Sequence, residues 1–273
     1  MSNVYQWFSS DSKENYKLLN FKKLNYTQDE ITYELNSLGY RCDEFSNASE
    51  FPITFMGCSF TEGIGLPFDE VWAYHLHKKI IELTNKTFPF WSIAKSGTGI
   101  DYIARCFYEH SMKLKPKYAF YLMSGISRRE YQFENSTFTN WYPYATPSAK
   151  LSTDIQFMGK IFTDPDFAVY QTLRSAMILN STAQAHGTKI FIFGLPMDVG
   201  VSQQRKIELF SKFDNIKYIP VTTLGMNNIN EFEIPEYIKN RPIKARDGIH
   251  PGAVWHYKLY NFIWENVKDK LIL

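Results

Sequence analysis

A chain of 273 residues that is 44% hydrophobic and 17% aromatic can bury a large core and falls within the single-domain range of α/β folds. Thirty basic against 28 acidic side chains leave a formal charge of +2, which excludes an overall electrostatic field that would gather nucleic acid or an anionic membrane. Three cysteines, Cys42, Cys58 and Cys106, are odd in number and lack C-x-x-C spacing, which argues against a disulfide framework or a zinc knuckle and for a reducing compartment.

The first residues, MSNVYQWFSSDSKENYK, interrupt any apolar run with Ser, Asp, Lys and Glu, so they do not read as a secretory signal. No window reaches the roughly 20 apolar residues of a membrane span; the expectation is a cytoplasmic protein. Residues 1–50 are polar and aromatic with one strand-like piece, EITYELNSLGYR, and are expected to wrap a sheet or add a hairpin at its edge. Ile53 to Gly57 is a short buried strand, and Asp69 to Leu83 has helical spacing with Asp69 as N-cap. A strand at Phe88 to Ile93, a loop at Ala94 to Gly99 and a helix from Ile100 to Leu114, stopped before Pro116, repeat the pattern. Tyr118 to Met123 is a third strand. Residues 128–166 are rich in Tyr, Phe, Trp, Asn, Thr and Pro without strong periodicity, as in an inserted loop or cap. Phe167 to His186 is a long helix ended by Gly187, TKIFIFG after it is a buried strand, Ile216 to Pro220 a fifth, and Gly252 to Leu271 a closing helix. Strands and helices alternating at these lengths predict an α/β fold: a three-layer α/β/α sandwich on a mostly parallel sheet of about five strands, with an N-terminal extension and an aromatic-rich insertion on one domain. Ligands of such sheets lie beyond the carboxyl ends of the strands.

Chemistry is expected there. Ester hydrolysis needs a reachable nucleophile, a base, a group to orient the base, and donors for the oxyanion. Ser59 follows the first buried strand in GCSFTEGIGL, where glycines permit tight turns around an exposed hydroxyl. Near the other end, DGIHPG holds Asp247 and His250 three residues apart. The spacing around Ser59 is not the G-x-S-x-G elbow of α/β-hydrolases. It resembles the first block of SGNH-type (GDSL-like) serine hydrolases, usually G-D-S, with Cys58 where Asp commonly stands; the Asp247–His250 string resembles that family's D-x-x-H block. The order Ser, Asp, His agrees with the family. The resemblance implies a flavodoxin-like SGNH fold with Ser59 as nucleophile, His250 as general base and acid, and Asp247 orienting His250. Gly97, in AKSGTGIDYIAR, matches the family's glycine block, whose backbone N–H would join that of Ser59 in holding the oxyanion. The family's usual G-x-N-D is replaced by LMSGISRREY, without Asn, leaving Ser124 and the backbone around Gly125 as further oxyanion candidates.

Arg128, at the end of the third strand, suits an anionic or sugar-acid substrate. Tyr131 and Trp141 of the aromatic insertion would line a lid or a sugar platform, or equally pack a satellite core. His75 and His77, two apart on a helix, face different ways and do not suggest joint ligation; no metal and no cofactor is expected. Cys58 next to Ser59 could be taken for the nucleophile, but neighbouring side chains on an extended turn point apart. The reading is an esterase acting on a carbohydrate O-acetyl or another small acyl ester, with a small-molecule or glycan substrate and no nucleic-acid or membrane partner. An acyltransferase, a non-catalytic ligand-binding protein on the same scaffold, and a subunit using the aromatic N-terminal extension as an interface are the alternatives.

Overall fold

The structure, a computed structural model, describes residues 3–18, 26–46, 52–132, 138–141, 161, 164–197, 200–222 and 234–271, and of residues 131–132 and 138–141 the backbone alone. The N-terminal extension supplies β1 (Asn3–Tyr5), α1 (Lys13–Leu18) and β2 (Tyr33–Leu35), with β1 and β2 paired antiparallel. Next come β3 (Ile53–Gly57), α2 (Ser59–Glu62), α3 (Trp72–Thr84), β4 (Trp91–Ser92), α4 (Ile100–Leu114) and β5 (Tyr118–Met123). A hairpin of β6 (Arg129–Gln132) and β7 (Phe138–Trp141) precedes α5 (Pro165–His186), β8 (Lys189–Gly194), α6 (Gln203–Phe210) and β9 (Ile216–Pro220). The chain closes with α7 (Glu236–Lys239) and α8 (Ala253–Val267).

Five strands form one sheet in the order β4-β3-β5-β8-β9, every neighbouring pair parallel. Because strand side chains alternate between faces, Phe55, Phe120 and Phe193 enter one core and Met56, Tyr121 and Ile192 the other. Phe55 stacks on Phe120 with ring centroids 5.7 Å apart, and Phe120 on Phe191 at 5.7 Å. The first face is covered by α3 and α8, the second by α4, α5 and α6. This is the predicted three-layer α/β/α arrangement. Its strand order reverses at β3, so the crevice beyond the carboxyl ends of β4, β3 and β5 is the binding position of such sheets.

Several elements depart from expectation. Asp69 is not the N-cap of α3: residues Phe68–Glu70 form a 3-10 turn and Val71 caps the helix. Here Glu70 is buried and its carboxylate accepts from Tyr26 at 2.7 Å and Arg241 at 2.5 Å, a tertiary demand that outweighs helical spacing. The strand expected over 88–93 pairs only at Trp91 and Ser92, because the extension takes its edge: Phe90 N–H donates to Asp43 Oδ2 at 2.7 Å and Trp91 Nε1 to the Glu44 carbonyl at 3.2 Å. That cover protects an otherwise open sheet edge. Helix α6 has no counterpart in the sequence reading, although Ser202 caps it by accepting from the Arg205 N–H at 3.1 Å.

Candidate active site

Strand β3 ends at Gly57, and the chain turns through Cys58, which caps α2, so that Ser59 is the first residue of that helix. Ser59 is 6% exposed. Its Oγ lies 4.0 Å from the Cys58 sulfur, so the two neighbouring side chains do not point apart as the extended turn suggested. Neither the Ser59 hydroxyl nor His250 Nε2 makes a hydrogen bond to the other.

Asp247 and His250 sit in a turn before α8. Asp247 Oδ1 accepts the backbone N–H groups of Ile249 and His250, both at 3.0 Å, and Oδ2 meets His250 Nδ1 at 2.5 Å. Burial pushes the Asp247 carboxyl up, but the hydrogen bonds from the His250 ring and backbone and from Ser10 prevail and hold it below the usual carboxylate range. With Nδ1 committed to Asp247, Nε2 is the nitrogen left for proton transfer.

The sign of that shift predicts a pH dependence. A carboxyl whose folded pKa lies below its unfolded value of about 3.9 stabilises the fold above that pH. This contribution is lost as pH falls through the folded value. Asp247→Asn is therefore expected to flatten the loss of stability below about pH 4, read from urea midpoints at successive pH values. An unchanged acid slope would contradict the pairing.

The distant turn is docked on the Ser59 segment. Arg246 N–H donates to the Gly65 carbonyl at 2.8 Å, and the Phe60 ring stands edge-on to His250 with centroids 5.6 Å apart. Gly65 has φ +76°, and a Cβ there would lie 2.9 Å from Ala245 Cβ and 3.1 Å from Arg246 N. Gly65→Ala is accordingly expected to cost about 1–3 kcal/mol and to lower turnover by moving Asp247. Thermal melts and kcat measured together test this; wild-type values in both would refute the close approach.

Gly97 lies in the turn after β4 with φ +87°. The turn is tied to α2 by Ser96 N–H donating to Glu62 Oε2 at 2.6 Å and to the end of β3 by Lys95 N–H donating to the Gly57 carbonyl at 3.1 Å. Glu62 is fully enclosed, and burial raises its carboxyl against the pull of Lys95 and the Ser96 N–H. Among the described residues, neither the Ser59 nor the Gly97 N–H donates to a protein acceptor. Ser124, directly after β5, is buried and turns its hydroxyl to the Thr98 carbonyl at 3.3 Å. Gly125 accepts from Arg128 N–H at 3.4 Å. Arg128 is half-buried beside Gly99, while Arg129 is buried and donates to the Ala168 carbonyl at 3.1 Å. Tyr131 and Trp141 fall on the β6–β7 hairpin, and their side chains lie outside the described residues. The structure thus brings Asp247 and His250 into contact and sets Ser59 and Gly97 on adjoining turns.

His75 is half-buried, while His77 and His256 are buried. Burial lowers His75 to about 4 and His256 to about 3, and His256 Nδ1 accepts the Trp72 N–H at 3.3 Å. Sequence reasoning missed the N-terminal contribution altogether. Ser10 Oγ donates to Asp247 Oδ2 at 2.8 Å, Ser9 Oγ lies 3.1 Å from Ser96 Oγ, and Asp11 pairs with Arg246 at 2.6 Å, both side chains fully buried. It also missed an apolar groove of about 590 Å³ that opens beside Phe60 and Pro251 and is lined by Leu195, Val254 and Trp255, with Lys258 among its walls. No spacing rule marks these residues.

No family profile matches the sequence and no curated protein matches it. Among solved structures the chain is similar to TesA, at 16% identity and TM-score 0.47 over 80% of this chain and 99% of that one. It is similar to the psychrotrophic esterase EstA from Pseudoalteromonas sp., at 11% identity and TM-score 0.47 over 80% and 97%. A further similar structure is a catalytic mutant of the acetylxylan esterase Axe2 from Geobacillus stearothermophilus, at 14% identity and TM-score 0.46 over 81% and 95%. At these values the likeness is one of chain course and says nothing about substrate. No helix among the described residues is long and apolar enough to cross a membrane.

Proposed function

We propose that this protein is an SGNH-type serine esterase. The reading is carried by one observation: a turn from the far end of the chain, with His250 Nδ1 held by Asp247 Oδ2 at 2.5 Å, docks on the segment that bears Ser59. In the proposed reaction His250 Nε2 takes the Ser59 proton as Oγ attacks the ester carbonyl. The tetrahedral oxyanion is held by the Ser59 and Gly97 N–H groups. Collapse expels the alcohol, which leaves with the proton from His250, and Ser59 retains the acyl group. Water, deprotonated by His250, then releases the acid and regenerates Ser59. Asp247 stays ionised and stabilises the imidazolium formed in each half.

The substrate is a carbohydrate O-acetyl or another small acyl ester, and the groove beside Phe60 and Pro251 takes its unreactive portion. An alcohol acceptor in place of water would make the same acyl-enzyme a transferase. Product analysis with added sugar acceptors separates the two. The missing contact between Ser59 Oγ and His250 favours a second reading, a ligand-binding protein on this scaffold.

A serine-directed fluorophosphonate decides between them. Stoichiometric modification, read by intact mass and mapped to Ser59, is expected for the esterase. A folded protein that stays unmodified, and turns over no ester tried, would leave the binding reading.

A further inference from the structure

We infer that Ser10 is a positioning residue of this site: carried in on the N-terminal extension, its hydroxyl grips the carboxylate oxygen that also holds the His250 imidazole. For its kinetic consequence the inference rests on the esterase reading; for its structural content it does not. The path begins in a tight turn closed at both ends, with Phe8 N–H donating to the Asp11 carbonyl at 2.9 Å and Asp11 N–H to the Phe8 carbonyl at 3.1 Å. Ser9 and Ser10 form its tip. Ser9 sits at φ +57°, a conformation a non-glycine residue keeps only where its surroundings impose it. The Ser10 carbonyl is held in turn by Asn15 Nδ2 at 2.7 Å.

Three successive side chains of this turn engage three parts of the site. Ser9 meets Ser96 on the Gly97 turn, Ser10 meets Asp247, and Asp11 meets Arg246. The last pair is sufficient to anchor the turn, since Arg246 also donates to the Gln28 and Gln6 carbonyls at 2.6 and 2.7 Å and stacks its guanidinium 4.2 Å from the Trp7 ring centre. Anchoring does not require Ser10 to donate to Asp247 Oδ2, yet it does, at 2.8 Å.

With that bond the carboxylate accepts four hydrogen bonds: Ile249 and His250 N–H on Oδ1, and His250 Nδ1 and Ser10 Oγ on Oδ2. This fills the roughly four lone-pair positions of a carboxylate, so Asp247 can neither rotate nor be reached by another donor. The hydroxyl also draws charge from the oxygen facing the imidazole. Ser10 therefore sets both the direction of His250 and how strongly Asp247 holds a proton on it.

The other charged groups around the pair are accounted for. Asp11 and Arg246 neutralise each other behind it, Lys244 Nζ donates to the Ile249 carbonyl at 3.2 Å, and His256 on α8 is kept neutral by burial.

The test is NMR titration of the His250 ring nitrogens in full-length wild type, Ser10→Ala and Ser10→Thr, with hydrolysis of p-nitrophenyl acetate followed against pH on the same samples. Loss of a hydrogen bond to a charged group leaves more negative charge facing the imidazole. The midpoint is expected to rise in Ser10→Ala by about half to one pH unit, and Ser10→Thr to restore it. The acid limb of kcat should move with it while KM stays fixed. A folded Ser10→Ala with the wild-type midpoint overturns the inference. Should Ser10→Ala fail to fold, Ser10→Cys, a weaker donor, must give a partial rise, and its absence has the same meaning. A shifted midpoint in a protein that hydrolyses no ester would keep the Ser10 coupling and remove the esterase reading. An active enzyme with an unmoved midpoint would do the reverse.

Discussion

Ser59→Ala is expected to lower kcat by about 10⁴-fold or more, leaving KM for a small ester nearly unchanged. The reason is chemical rather than structural. In the proposed mechanism, removing the hydroxyl removes the acyl-enzyme route, whereas the proposed oxyanion donors and substrate contacts remain. The fold should barely register the change, because among the described residues the Ser59 hydroxyl has only the Cys58 sulfur for a partner, at 4.0 Å. A shift in stability within about 0.5–1 kcal/mol is the expectation. Steady-state kinetics and a thermal melt on one preparation test both halves. Undiminished hydrolysis in the variant would refute Ser59 as nucleophile, and a large loss of stability would make lost activity uninformative about chemistry.

Asp11→Ala is expected to be the most damaging substitution for the fold. It strips the counter-ion from Arg246, whose side chain is fully buried and donates to no other carboxylate among the described residues. Breaking one partner out of a buried pair costs about 3–5 kcal/mol, since the remaining charge is left in a poor dielectric. The two backbone carbonyls still facing Arg246 place the value toward the lower end. For a chain of this size the melting temperature should fall on the order of 10 °C. Tyr33 loses its acceptor as well, and with it a firm hold on the Gly65 N–H, which donates to the Tyr33 hydroxyl at 2.8 Å. Activity should therefore fall further than instability alone explains, because Arg246 and Gly65 bracket the Asp247 turn. The double variant Asp11→Leu, Arg246→Met removes both charges and is expected to regain stability without regaining turnover. An unchanged melting temperature for Asp11→Ala would show that the pair does not bear on the fold.

The parts of this molecule written in local pattern were legible. The apolar runs at Ile53, Tyr118, Lys189 and Ile216 became four of the five sheet strands, since a strand buried on both faces needs little besides a short apolar β-rich run. The helix from Ile100 to Leu114 ended where it was expected, because Pro116 forbids its continuation. Asp247 and His250 were singled out by the resemblance of DGIHPG to a D-x-x-H block, and their separation of three residues lets one turn close a ring-to-carboxylate contact. The short strand β4 and the displaced start of α3 were misjudged for a common reason. Asp43 and Tyr26, both from the extension, recruit the backbone and side chains there, and no window around residues 68–93 contains them.

The sequence by itself determined the alternation of strands and helices and the order of Ser59, Gly97, Asp247 and His250 along the chain. These depend on apolar periodicity, turn residues and short spacings, all of which act within a few residues. Only the tertiary structure decided that the N-terminal turn reaches the Asp247 turn, that Ser10 and Asp247 meet across 237 positions, and that Asp11 neutralises Arg246. Such contacts arise where burial leaves a polar group no water and forces it to find a protein partner. Which partner it finds is settled by how the layers pack, and a serine or an aspartate that will be called upon looks in the sequence like any other.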